Sequence, residues 1–194
     1  MKEFIAENLR NSIAAKEKLA AAQTETIIRL AQLIAEILKN GNKLLIFGNG
    51  GSAADAQHMA AEFVNRFMID RPPLAAIALT TDTSNITSIG NDFSFDDIFL
   101  KQVQALGKKG DVALGISTSG NSPNVVKAIA AASEMGLHTV VLTGGSGGKL
   151  ASMAEIVINV PSDRTPHIQE AHLWVEHLVC WLVDDLLFGG KYGA

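Results

Sequence analysis

Apolar residues recur at helical spacing through the first forty positions. Ile5, Leu9, Ile13 and Leu19 are separated by Lys, Glu and Asn, and after Gln23-Thr24 the pattern resumes as Ile27, Ile28, Leu30, Leu33, Ile34, Ile37 and Leu38. This periodicity predicts amphipathic helix, and Asn40-Gly41 supplies a stop. Two helices, or one broken near residue 24, satisfy the pattern equally. From residue 43 the texture changes to short apolar runs alternating with helical segments. Strands are predicted at 44–47, 75–79, 112–116, 139–142 and 156–160, and helices at 53–68, 123–135 and about 165–188, with Pro123 suited to a first turn. Near-continuous apolar strands separated by helices indicate a parallel sheet covered on both faces. The expected fold class is α/β: a doubly wound, mostly parallel five-stranded sheet flanked by helices. It forms a single domain over residues 1–194, with a helical N-terminal extension over 1–40.

Composition narrows the partners. Sixteen Lys plus Arg against twenty Asp plus Glu give a net charge of −4, which argues against a general binder of nucleic acid or anionic membrane. Cys180 stands alone, so no intrachain disulfide and no cysteine-based zinc site is expected. Met1-Lys2-Glu3-Phe4 lacks the apolar run of a signal peptide, and no segment approaches the roughly 18 apolar residues of a membrane span. A soluble cytoplasmic protein is expected. A helical arm outside the core, together with only 19% charged residues over the whole chain, points to surface buried between subunits.

Two predicted strand-end loops carry chemistry suited to an anion. Gly48-Asn49-Gly50-Gly51-Ser52 supplies three glycines, whose backbone N–H groups approach a ligand without Cβ obstruction, and it leads directly into a helix. Ser117-Thr118-Ser119-Gly120-Asn121-Ser122 places four hydroxyls in six residues and again opens a helix. Hydroxyls and free N–H groups suit a phosphate monoester, whose oxygens are acceptors. The first loop lacks the final glycine of a dinucleotide motif and the lysine of a P-loop, which leaves a small phosphorylated ligand.

Polar groups on two predicted helices complete the candidate set. His58 and Glu62 are four apart and share a helix face. Gln169 and His177 are eight apart on the last helix, so they either lean toward one point or serve two neighbouring sites. His167 and His172 compete with them. Two imidazoles, a carboxylate and an amide suit a divalent metal, with imidazole favouring zinc. Arg66, four residues after Glu62, either contacts substrate or forms a surface ion pair. Cys180 and the Trp174/Trp181 pair read as packing.

Together, the Gly48–Ser52 loop, Asp55-Ala56-Gln57-His58 with Glu62, Gly90-Asn91-Asp92, the Ser117–Ser122 loop, and Gln169-Glu170 with His177 resemble the phosphoheptose isomerase family, which has a sugar isomerase (SIS) fold. The resemblance runs over essentially the whole chain. It implies conversion of sedoheptulose 7-phosphate to D-glycero-D-manno-heptose 7-phosphate, an early step toward the heptose of bacterial surface glycans such as lipopolysaccharide. It further implies a homotetramer with inter-subunit active sites and one Zn²⁺ per subunit. Carried onto this chain, it places substrate at Asn49, Gly50, Gly51, Ser52, Glu62, Asn91, Asp92, Ser117, Thr118, Ser119, Ser122 and Gln169. Metal falls at His58, Glu62, Gln169 and His177, and Glu62 and His177 become the acid/base pair. A non-catalytic SIS branch, which binds a sugar phosphate or a replication-initiator protein, resembles Ala53-Ala54, Ala56-Gln57-His58 and Asn65-Arg66-Phe67 as well. Glu62 and His177, absent from that branch, favour the enzyme.

Overall fold

The structure is a computed structural model and describes residues 1–189; positions 190–194 of the expected domain lie outside the described residues. A long helix α1 (Lys2–Lys39) precedes strand β1 (Leu44–Gly48), helix α2 (Gly51–Val64) and strand β2 (Ala76–Ala78). Helix α3 (Thr83–Asp92), a 3₁₀ turn at Phe95–Asp97 and α4 (Ile98–Leu106) lead to β3 (Val112–Ile116) and α5 (Pro123–Glu134). The chain finishes with β4 (His138–Gly144), a 3₁₀ turn at Leu150–Ser152, β5 (Ile156–Val160) and α6 (Thr165–Phe188). The five strands are all parallel, in the order β2-β1-β3-β4-β5.

The two-residue period of a strand sorts its side chains between two cores. Leu44 and Ile46 of β1 point to the side covered by α1, α2 and α6; Leu45 and Phe47 point to the side covered by α4 and α5. Strands buried on both faces leave no polar position, which is why β1 and β3 read as unbroken apolar runs. On the second face Phe47 packs against Phe99 of α4, ring centroids 5.3 Å apart, and both are essentially inaccessible.

The α1 pattern resolves as one helix with a break. Gln23 has non-helical backbone angles (φ −132°, ψ 16°). Its amide instead pairs with the edge strand β5: Nε2–H donates to the Asn159 carbonyl at 3.2 Å, and Oε1 accepts the Asn159 N–H at 3.1 Å. The sheet edge thus gains hydrogen bonds at the expense of one helical residue.

Three local differences from the sequence expectation have physical reasons. Helix α2 starts at Gly51 and stops at Val64, short of residue 68, because the chain turns back toward β2 and the buried Arg71 takes the last carbonyls of the helix. Strand β2 shortens to three residues at the sheet edge, where Ile77 is exposed. Helices α3 and α4 occupy a stretch without a predicted element. Polar α3 buries none of its residues and is started by Asp82, whose carboxylate accepts the Asn85 N–H at 3.0 Å.

Candidate active site

Strand order reverses at β1 and β3, and in such sheets ligands bind beyond the carboxyl ends at that switch point. Gly48 of β1 registers with Ile116 of β3, so the loops at 49–52 and 117–122 leave adjacent strand ends. Gly50 caps α2 with φ +57°, a conformation glycine adopts without Cβ strain. Both loops are braced internally. Asn49 Nδ2–H donates to Asn124 Oδ1 at 2.8 Å, and Asn124 Nδ2–H returns a bond to Asn49 Oδ1 at 2.9 Å. Asn124 is buried and also accepts the Val125 N–H. Asn49 therefore spends its side chain on tying the first loop to the start of α5. Sequence reasoning missed Asn124; an amide at the start of an otherwise apolar helix was the available signal.

In the second loop, the Ser117 and Ser122 hydroxyls lie 2.9 Å apart, and Ser119 Oγ accepts the Asn121 N–H at 3.2 Å. Ser117 and Ser52 are buried, whereas Ser119 is exposed. Ser122 precedes the first turn of α5 and Ser52 lies in that of α2, so both helices aim their positive ends at the strand-end rim. Asn91 and Asp92 end α3 on the surface, hydrogen-bonded to each other at 2.9 Å.

The remaining candidates lie along the seam between α2 and α6. Gln169 crosses the start of α2: a Cβ on Gly51 would sit 2.0 Å from its amide nitrogen, so glycine is what leaves room for it. That amide donates to Asp55 Oδ2 at 3.2 Å. Two turns further along α2, His58 Nε2 lies 2.9 Å from His177 Nε2 and 3.5 Å from Glu62 Oε1. The imidazoles meet edge to face at 5.1 Å, and Phe67 stacks on His177 at 5.6 Å. Eight residues apart on α6, Gln169 and His177 thus serve two neighbouring points, one at Asp55 and one at His58. His58, Glu62 and His177 gather around one nitrogen, but among the described residues no three His, Cys, Asp or Glu side chains converge as a preformed metal cage. Arg66 is exposed.

Behind these groups lies a buried polar layer that the sequence only partly announced. Burial raises the Asp55 carboxyl, against the Gln169 hydrogen bond and the nearby His58. Glu176 is 1% exposed, neither of its oxygens has a partner among the described residues, and burial together with the Asp55 charge pushes it up to about 8. One turn earlier, His172 Nε2 bonds the Thr143 carbonyl at 3.0 Å; burial drives this imidazole down to about 4 and its Nδ1 has no partner. That tautomer places the proton on Nε2. Cys180 is buried in the core and its thiol is pushed up, chiefly by burial, which suits packing rather than nucleophilic chemistry.

Comparison with known proteins gives this geometry a family. The SIS domain matches residues 8–144. Phosphoheptose isomerase of Nitratidesulfovibrio vulgaris strain Hildenborough is 57% identical over 173 residues, covering 89% of this chain and 83% of the relative. The chain belongs to the phosphoheptose isomerase family. The Aneurinibacillus thermoaerophilus phosphoheptose isomerase is 48% identical, across 99% of this chain and 98% of its own. The solved structure of phosphoheptose isomerase GmhA from Neisseria gonorrhoeae superposes with a TM-score of 0.89 at 48% identity, covering 95% of this chain and 98% of that one. Likeness to phosphoheptose isomerases thus extends from the arm of α1 through the sheet to α6. It makes the chain an isomerase and does not favour the non-catalytic adaptor.

Proposed function

We propose that this chain converts sedoheptulose 7-phosphate to D-glycero-D-manno-heptose 7-phosphate through an enediol, with Glu62 and His177 as the acid/base pair. The observation that carries the reading is the meeting of a carboxylate from α2 and an imidazole from α6, both within 3.5 Å of His58 Nε2. His58 and Glu62 lie on the helix that begins at the glycine loop. From Gly51 to His58 or Glu62 is seven to eleven residues, about 10–16 Å along the axis. An open-chain sugar phosphate spans a distance of that order, so phosphate at the loops brings the carbonyl end toward the pair.

The steps balance. Glu62 takes a proton from C1 of the ketose, the electron pair forms the C1–C2 double bond, and O2 receives a proton held on His177. In the second half Glu62 returns its proton to C2, and His177 takes the proton from O1 as the aldehyde forms. Each positioned proton transfer is worth about 10²–10⁴-fold. Phosphate binding, remote from the reacting carbons, fixes the pose. Residues 49–52, 117–119 and 122 hold that end in this reading, while Gln169, Asn91 and Asp92 hold hydroxyls.

Two imidazole nitrogens and a carboxylate oxygen are a donor set that fits zinc, so His58, Glu62 and His177 would hold one Zn²⁺ per subunit. Gln169 of the same chain is engaged by Asp55, and it would complete the set on leaving that carboxylate or from a neighbouring subunit. Zinc bound there would supply Lewis-acid polarisation of the carbonyl. A homotetramer suits the outer half of α1, where Phe4, Ile5 and Leu9 are each at least 60% exposed. No helix among the described residues is long and apolar enough to cross a membrane. The reading is of a cytoplasmic enzyme acting on a small molecule, and the net charge of −4 speaks against a nucleic-acid partner.

A coupled assay for loss of sedoheptulose 7-phosphate tests the activity; the wild type consumes it, and failure to do so with correctly folded protein overturns the reading. Chelation and elemental analysis test the metal, since full activity in metal-free protein would remove zinc from the reaction.

A further inference from the structure

Arg66, the arginine singled out beside Glu62, is exposed, whereas the arginine that reaches the catalytic helices is Arg71. Arg71 lies between α2 and β2, and its side chain is 1% exposed. Its guanidinium joins two helices. Toward α2, Nη2–H donates to the Glu62 carbonyl at 2.8 Å and Nη1–H to the Phe63 carbonyl at 2.6 Å. Toward α6, Nε–H donates to Asp184 Oδ1 at 2.7 Å. Weaker approaches of Nη1 to the Asn65 and Pro72 carbonyls, at 3.4 and 3.3 Å, close the turn.

The chemistry of this arrangement is specific. Carbonyls in the last turn of a helix lack partners within it and carry its negative end, and the last turn of α2 contains no basic residue of its own. Arg71 supplies the missing cation from outside. Asp184 sits seven residues after His177, two turns along the same face of α6. One planar, multi-donor group thus ties the main chain of Glu62 to the helix of His177. Lysine, a point charge with rotating donors, reproduces one side of such a bridge poorly and both sides worse.

We propose that Arg71 is a positioning residue for the isomerase, fixing Glu62 relative to His177; this rests on the reading of those two residues as the acid/base pair. A purely structural ion pair would be replaceable by apolar side chains of similar volume at little cost to folding, and turnover would survive the exchange. A positioning clamp would not be replaceable in that way.

The test measures melting temperature, KM and kcat for Arg71→Met/Asp184→Leu, Arg71→Lys and Glu62→Gln. The double variant leaves the Glu62 carbonyl without its donor, so it is expected to fold but melt several degrees below the wild type, and to keep KM within about threefold while kcat falls about 10- to 100-fold. Arg71→Lys should lose less, again in kcat. A folded double variant with kcat within about twofold of wild type, beside an inactive Glu62→Gln, overturns the clamp and leaves the acid/base reading standing. Normal turnover in Glu62→Gln overturns that reading and the clamp with it. If the double variant does not fold, Arg71→Lys decides: reduced kcat at unchanged KM supports the clamp, and wild-type kcat overturns it.

Discussion

Around the two strand-end loops, polar side chains satisfy one another: Asn49 with Asn124, Ser117 with Ser122, Ser119 with the Asn121 amide. Along the α2–α6 seam pairing is incomplete: Gln169 meets Asp55 and His58 meets His177, but among the described residues Glu176 and the Nδ1 of His172 have no partner. A buried polar atom without a hydrogen bond costs on the order of 1–3 kcal/mol, so the seam is the expensive part of the molecule. The difference matches the work expected of each region. A cradle for a phosphate that does not react gains from rigidity, whereas a region that moves protons keeps groups whose charge is adjustable.

The largest break in this comparison should come from Glu62→Gln, which removes a proton acceptor and keeps the shape. We expect kcat to fall about 10²–10⁴-fold, with KM for the sugar phosphate little changed, as steady-state kinetics will show. Next comes the acid limb of stability. His172 is held near 4 in the folded protein against an ordinary 6.5, so the unfolded chain binds its proton first as pH falls. Stability from this group is present above about pH 6.5 and lost toward pH 4, by about 3 kcal/mol. Glu176, raised to about 8, acts with the opposite sign and destabilises as pH rises from about 4.5. The informative quantity is therefore the difference between wild type and His172→Gln in urea denaturation at pH 7 and pH 4; a difference independent of pH would contradict the assignment.

Two smaller effects sharpen the contrast. Gly51→Ala drives a Cβ into the Gln169 amide; because that amide ends a flexible side chain, stability should hold while kcat/KM falls about tenfold. Ser119→Ala removes one exposed hydroxyl from the cradle and should raise KM about fivefold, roughly 1 kcal/mol, with kcat unchanged.

Much of this architecture is written locally. Strands such as Val112–Ile116 are apolar because both faces are covered, and Pro123 and Asn40-Gly41 mark helix ends through backbone chemistry. Helix α3 was not legible, since its apolar side is only Ile86 and Ile89, partly buried against the second core, among polar residues. The break at Gln23 was visible as an interruption, but its cause lies 136 residues away at Asn159. In the site, loop chemistry was readable from glycine and hydroxyl content, and the His58–Glu62 pair from helix spacing. Asn124, Glu176 and Arg71 were not, because their significance lies in burial and in partners distant along the chain. Spacing likewise left Gln169 and His177 ambiguous, and only the placement of Asp55 and His58 separates their roles.

The most direct measurement is conversion of sedoheptulose 7-phosphate in D₂O, followed by NMR for wild type and Glu62→Gln. Because a proton held on the Glu62 carboxyl exchanges with D₂O while the enediol is bound, transfer through it predicts deuterium at C2 in part of the heptose phosphate formed by the wild type, and neither product nor label from a Glu62→Gln protein that still binds the sugar phosphate. Deuterium incorporation at an undiminished rate without the Glu62 carboxylate would contradict it.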